Sequence, residues 1–275
     1  MGEFQKRISR RIAHLGMKYG FCLICGEKQK LSQDHVPPQC CVTLRPVEQR
    51  LVTEMMGLEA VNFKGVKARN GSSFRTICVA CNRRLGLDDG IVGAAYKKIT
   101  RQVLEYFRPI GGNLLPLARV EIDPVRYARS LIGHMLAATT EEECIRSPIE
   151  SEYFTPLKKF VMGDDSAIND THDIYYWFYP RDMHISAKFV TVRNQGHTTS
   201  VSVLSFFPVG FMVTLKDKGT FPAQATKLDF NEKYLTLNIS PTNLEFASFP
   251  FVPLEGDQMF ALKDAQAIVS YPARD

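Results

Sequence analysis

Two cysteine pairs restrict this chain more than any other feature in it. Cys22 and Cys25, then Cys78 and Cys81, are each separated by two residues. A thiolate pair at that spacing clasps one side of a metal ion, and two pairs complete a tetrahedral four-thiolate zinc site. Fifty-two residues lie between Cys25 and Cys78, so the fold must return on itself across a long insertion to bring the two turns together. Gly26 closes the first pair with a backbone path that a side chain would hinder. Four thiolates leave no coordination position for water, so such a zinc is structural and contributes folding energy on the order of 10 kcal/mol.

Composition narrows the setting. With 275 residues, 45% hydrophobic and 23% charged, the chain reads as soluble and globular, with one large or two modest domains. No membrane-spanning helix is expected, because no run of 18 apolar residues occurs. The basic N-terminal stretch lacks the apolar core of a secretory signal. Seven cysteines, four of them in metal-type pairs, suit a reducing cytoplasmic setting better than a disulfide framework. The net charge of +5 is unevenly spread: residues 1–110 carry 19 Lys and Arg against 9 Asp and Glu, and residues 111–275 carry 15 against 20. The basic half is the half with the paired cysteines. A polyphosphate partner requires such a balance, although basic residues also solvate helix faces.

Local patterns give a coarse map. Phe4, Ile8, Ile12 and Leu15, with Lys6, Arg7, Arg10 and Arg11 between them, predict a basic amphipathic helix over 4–18. Strands are expected around Leu31–Val36 and Ser73–Ile77, and a helix near Val47–Met56. A helix starts at Val79 and breaks at Gly86, and a second starts with Asp88 or Asp89 as its N-cap. Ile91, Ala95, Ile99, Val103 and Phe107 form the stripe of that second helix. The loop Pro109–Pro116 is the expected domain boundary. Helices follow at Pro124–Ala138 and near Tyr153–Val161. Beyond about residue 170, segments at 174–178, 185–192, 200–206, 211–215 and 234–239 predict antiparallel strands.

Chemistry concentrates between and just after the cysteine pairs. Asp34-His35-Val36-Pro37-Pro38 lies between them, and Asn82 follows the second. A neutral imidazole, with an unperturbed pKa of about 6.5, can take a proton from water at neutral pH. A carboxylate and an amide oxygen can hold one Mg²⁺ or Mn²⁺, which stabilises charge on a leaving oxygen. Neighbours on a strand point to opposite faces, so Asp34 and His35 address one phosphate only from an irregular segment, which Pro37 and Pro38 favour.

At these residues the chain resembles the HNH, or His-Me finger, nucleases, and is most similar to their four-cysteine zinc branch, typified by phage recombination endonuclease VII. The shared order is C-x-x-C, Asp-His, then C-x-x-C-Asn, over roughly residues 20–90. The resemblance implies structural zinc on Cys22, Cys25, Cys78 and Cys81. It makes His35 the general base, and Asp34 and Asn82 the holders of a catalytic divalent metal. Two departures stand out: the long insertion, and Ser73 where many members place an Asn, with Asn70 nearby but out of register. The expected fold class is α+β. Residues 1–110 form a zinc-stabilised ββα-metal finger (HNH, treble-clef-like) with flanking helices. Residues 111–168 form a helical connector, and 169–275 a mostly antiparallel β domain, a candidate surface for a protein partner or oligomer contact.

The expected function is metal-dependent hydrolysis of DNA phosphodiester bonds. Arg83, Arg84, Arg10 and Arg11 are candidates for phosphate contact. By analogy, a nuclease finger joined to an unrelated domain suits a bacterial or phage conflict system. Two rival readings are a catalytically silent zinc module that binds nucleic acid or protein, and an RNA-directed nuclease or toxin. No base-reading motif separates DNA from RNA. Cys40 and Cys41 are expected to be free thiols. His134, His172, His184 and His197 have no ligand-like spacing and read as ordinary histidines, and the aromatic run Tyr175–Tyr179 reads as a core strand.

Overall fold

A computed structural model describes residues 16–42, 45–55, 65–108, 115–242, 244–262 and 267–273. The expected N-terminal helix over 4–18, with Arg10 and Arg11, lies almost wholly outside the described residues, as does most of the loop at 109–116.

The cysteine half begins with a small sheet. Strands β1 (Tyr19–Phe21) and β2 (Lys28–His35) pair antiparallel around the first cysteine turn. Strand β3 (Val47–Leu51), a four-residue helix α1 (Val52–Met55) and strand β4 (Val66–Ala68) come next. Strand β5 (Ser73–Cys78) pairs antiparallel with β2 and leads directly into helix α2 (Val79–Tyr106). The second half comprises β6 (Leu117–Glu121), α3 (Pro124–Ala137), α4 (Phe154–Val161), β7 (His172–Phe178), β8 (His184–Asn194), β9 (His197–Phe206), β10 (Val209–Leu215), β11 (Thr226–Lys227), β12 (Tyr234–Asn238), β13 (Met259–Leu262) and β14 (Ala267–Pro272).

A large antiparallel sheet runs in the order β11-β7-β10-β9-β8-β14-β3-β4, with β13 also pairing β8. Strands β6 and β12 form a separate pair. Strand β7 is buried on both faces. Ile174, Tyr176 and Phe178 pack into one apolar cluster, and Tyr175 and Trp177 into the other, as expected of a central strand with its period of two. Helix α3 starts at Pro124 behind Asp123, whose Oδ1 accepts the Arg126 N–H at 3.1 Å. Its Ala128, Leu131, Ile132, Met135 and Leu136 are fully buried, in one cluster with Ile77 and Leu85 of the cysteine half and Phe211 of the sheet. A single core therefore spans both halves.

Several expectations change. The helix expected at 47–56 is a strand for its first five residues. Val47, Gln49 and Leu51 are buried in alternation, and pairing with β14 decides the conformation over local helical tendency. Helix α2 runs unbroken for 28 residues through Gly86. A glycine inside a helix costs only about 1 kcal/mol relative to alanine, less than the buried stripe of Leu85, Val92, Ile99 and Val103 supplies. Asp88 and Asp89 are consequently interior helix residues, and the N-cap is Cys78, whose Sγ accepts the Cys81 N–H. Sheet pairing also crosses both expected domain boundaries: β3 joins β14, and β6 joins β12.

Gly210 of β10 sits opposite Trp177 of β7, where an added Cβ would lie 2.4 Å from the indole ring. That ring is held by its Nε1–H donating to the Ala247 carbonyl at 2.8 Å. Gly210→Ala is expected to destabilise the protein by about 1–3 kcal/mol in denaturant unfolding, and an unchanged midpoint would contradict this packing.

Candidate functional site

The cysteine cluster forms as the sequence implies. Cys22 and Cys25 sit on the turn between β1 and β2, Cys78 ends β5, and Cys81 lies in the first turn of α2. Gly26 takes φ +78° and its N–H donates to the Cys22 carbonyl at 2.9 Å, which closes the turn. All four sulfurs lie within 4.8 Å of one another, and Cys25 and Cys78 are 3.9 Å apart. Sulfurs on a tetrahedron with Zn–S of about 2.3 Å stand about 3.8 Å apart, so the four thiols suit a single ion such as zinc. Backbone N–H groups donate to two of the sulfurs: Cys78 N–H to Cys22 at 3.2 Å and Cys81 N–H to Cys78 at 3.4 Å. The Cys81 thiol and the backbone N–H groups of Cys78, Cys25 and Ile24 hold the Cys22 thiol down near 5, against the burial that would raise it.

From this cluster β2 runs to Asp34 and His35. The strand is irregular one step earlier than expected: its register with β5 shifts between Ser32 and Asp34, while Asp34 pairs Phe74 and His35 pairs Ser73 in regular succession. The two side chains therefore part company. His35 is half-buried and lines a cleft of about 510 Å³. Its Nε2–H donates to the Asn70 carbonyl at 3.1 Å, so in the singly protonated ring Nδ1 is the acceptor nitrogen. Asn70 thus braces the imidazole with its backbone, so no side-chain amide is needed at position 73.

Asp34 is 4% exposed and turns inward. Its Oδ2 accepts from His134 Nδ1 at 2.9 Å, while His134 Nε2 donates to Asp89 Oδ1 at the same distance. A ring that serves two carboxylates through both nitrogens is an imidazolium. Burial works against that charge, but the Asp34 and Asp89 carboxylates outweigh it and push His134 up to about 10. Ser130 Oγ also donates to Asp89, at 2.8 Å. Asp88, one residue earlier, accepts from Arg126 at 2.7 Å and from Arg129 at 3.4 Å. The two aspartates expected to cap a helix instead fasten α2 to α3. His134, expected to be ordinary, is the central residue of that junction. It lies 100 residues from Asp34, and nothing local in the sequence links the two.

Asn82, in the first turn of α2, donates through Nδ2 to Ser32 Oγ at 3.0 Å and to the Gln33 carbonyl at 2.8 Å. It is pinned to the irregular step beside Asp34. Among the described residues no hydrogen bond reaches Oδ1 of either Asn82 or Asp34. Arg84 donates to the Met162 carbonyl and ties α2 to the end of α4, whereas Arg83 is exposed. The exposed Cys40 and buried Cys41 are free thiols, and Cys40 Sγ donates to the Asp89 carbonyl at 3.1 Å. No helix among the described residues is long and apolar enough to cross a membrane. No family model, curated protein or solved structure matches the chain.

The folded pKa of His134, about 10, lies above its unfolded value of about 6.5. Its contribution to stability is therefore fully present below pH 6.5 and fades as pH rises through 10. His134→Gln is expected to cost about 3–5 kcal/mol near pH 6, because the buried Asp34 and the partly buried Asp89 carboxylates lose their cation. The gap between variant and wild type should narrow toward pH 10. A gap independent of pH would contradict the charged triad.

Proposed function

We propose that the chain is a metal-dependent endonuclease that hydrolyses phosphodiester bonds of DNA, with the cysteine half acting as an HNH-type ββα-metal finger. The observation that carries this reading is the arrangement of His35. It ends the first of two antiparallel strands that lead into a helix, on a unit closed by the four-cysteine cluster. Nε2 donates to the Asn70 carbonyl and His35 lines the cleft, so Nδ1 is the nitrogen that would serve as a base for water. A divalent cation held by the free Oδ1 atoms of Asp34 and Asn82 would neutralise charge on the phosphate and the leaving oxygen. His134 pairs with the other oxygen of Asp34, and Ser32 Oγ and the Gln33 carbonyl hold the Asn82 amide against the same strand. The exposed Arg83 supplies positive charge on the same helix for the polynucleotide backbone.

One observation favours a second reading. The buried ion pair of Asp34 with His134 would serve equally in a zinc module that binds nucleic acid without cleaving it. An RNA strand offers the same phosphodiester and remains an alternative substrate.

Purified protein with Mg²⁺ or Mn²⁺ is expected to nick plasmid DNA, and His35→Ala should lower the rate by about 10²–10⁴, the usual contribution of a general base. RNA cleaved in place of DNA would shift the substrate. Equal cleavage by both proteins would remove His35 from the chemistry, and no cleavage of either nucleic acid would leave the non-cleaving module.

A further inference from the structure

The cleft beside His35 is walled by both halves of the chain. The cysteine half contributes His35, Arg45 and Tyr96, and the strand-rich half contributes Arg181, His184 and Phe207. Sheet pairing brings them together. His184, the first residue of β8, pairs Ser270 of β14, and β14 carries β3, whose start lies just after Arg45. The acidic half, which by its net charge would repel a polyanion, therefore contributes one arginine and one histidine, with Asp182 between them, to the cleft that His35 lines.

We propose that this cleft is the substrate-binding site, and that it takes one nucleotide of a single-stranded polynucleotide with its phosphate between Arg45 and Arg181. Three features support the assignment. Neither arginine has an ion-pair partner among the described residues, so both guanidinium groups are open to a phosphate, which they can grip through two N–H groups at once. His184 Nδ1 is buried with no hydrogen-bond partner among the described residues. A buried polar atom of that kind is costly unless something completes it, and a turn of the ring, whose residue lines the cleft, would present it to a sugar or base edge there. The ring stays neutral, since burial and the nearby Arg45 charge push it down to about 4, so it can accept as well as donate. Tyr96 and Phe207 provide aromatic faces on which a base can stack.

Size and shape select the single strand. A recess of about 510 Å³ falls in the range of small-molecule pockets, roughly 300–1,000 Å³. It accommodates a splayed-out nucleotide, whereas a paired duplex keeps its bases stacked and can present only its backbone rim. This proposal rests on the reading of His35 as the base, because it places the bond to be cut at that residue.

The test separates the two. Binding of fluorescein-labelled oligo-dT, oligo-U and a duplex of equal length is measured by anisotropy without added Mg²⁺ or Mn²⁺, for wild type, Arg45→Gln, Arg181→Gln and His35→Ala, and cleavage is assayed in parallel. Each arginine variant is expected to weaken single-strand binding about tenfold and to lower the log–log salt slope by about 1, a larger loss of binding than in His35→Ala, whose main effect falls on cleavage. Thymidine 5′-monophosphate should compete. Arginine-dependent binding of either single strand supports the cleft, and a preference between them identifies the sugar. Tighter duplex binding, or unchanged single-strand affinity in both arginine variants, overturns it even if cleavage still depends on His35. Arginine-dependent binding without any cleavage keeps the cleft and removes the base.

Discussion

A protonated imidazole clamped between two carboxylates holds this molecule's working parts in place. His134 reaches from α3 to Asp34 on β2 and to Asp89 on α2. Three elements that share no sequence neighbourhood are thereby fixed to one another at the centre of the fold. A buried charge removed from its partners is expensive, and the same charge flanked by two opposite ones, with hydrogen bonds at both nitrogens, is tolerated. The junction is reinforced on its flank by Asp88 with Arg126 and Arg129. The cysteine cluster, by contrast, fixes only its own neighbourhood: the β1–β2 turn, the end of β5 and the first turn of α2.

The consequence for chemistry is a division of labour between adjacent residues. Asp34 faces inward, where it pairs with His134, and His35 lines the cleft, where its Nε2 donates to the Asn70 carbonyl. The register shift between Ser32 and Asp34, held by the Asn82 amide, lets a short strand serve both sides. Strands β8, β14 and β3 then bring Arg45, Arg181 and His184 to the same opening. The strand-rich half is part of the site's wall and shares one core with the cysteine half.

Much of this was legible where the signal was local. The four cysteines, a strand around Leu31–Val36, a helix at Pro124–Ala138 and the β texture after residue 170 all rest on local spacing and alternation, and each appears within a few residues of its expected place. What escaped rests on distant partners. Val47–Leu51 is a strand only because β14, more than 200 residues later, pairs with it. Gly86 does not end a helix whose buried face continues past it, and Asp88 and Asp89 read as caps until Arg126, Arg129 and His134 appear beside them. His134 and His184 looked ordinary because a histidine takes its role from surroundings that only the tertiary fold assembles. Arg10 and Arg11 lie outside the described residues.

The central claim is that the free nitrogen of His35 acts as a base toward water at this opening. Chemical rescue tests it most directly. In His35→Gly, whose side chain is removed, millimolar imidazole supplied in solution should restore metal-dependent strand cleavage in a saturable manner. The restored rate should follow the neutral fraction of the added base across pH 6–8. Cleavage by His35→Gly at the wild-type rate without imidazole, or no restoration at any concentration while the wild type cleaves, would contradict the account.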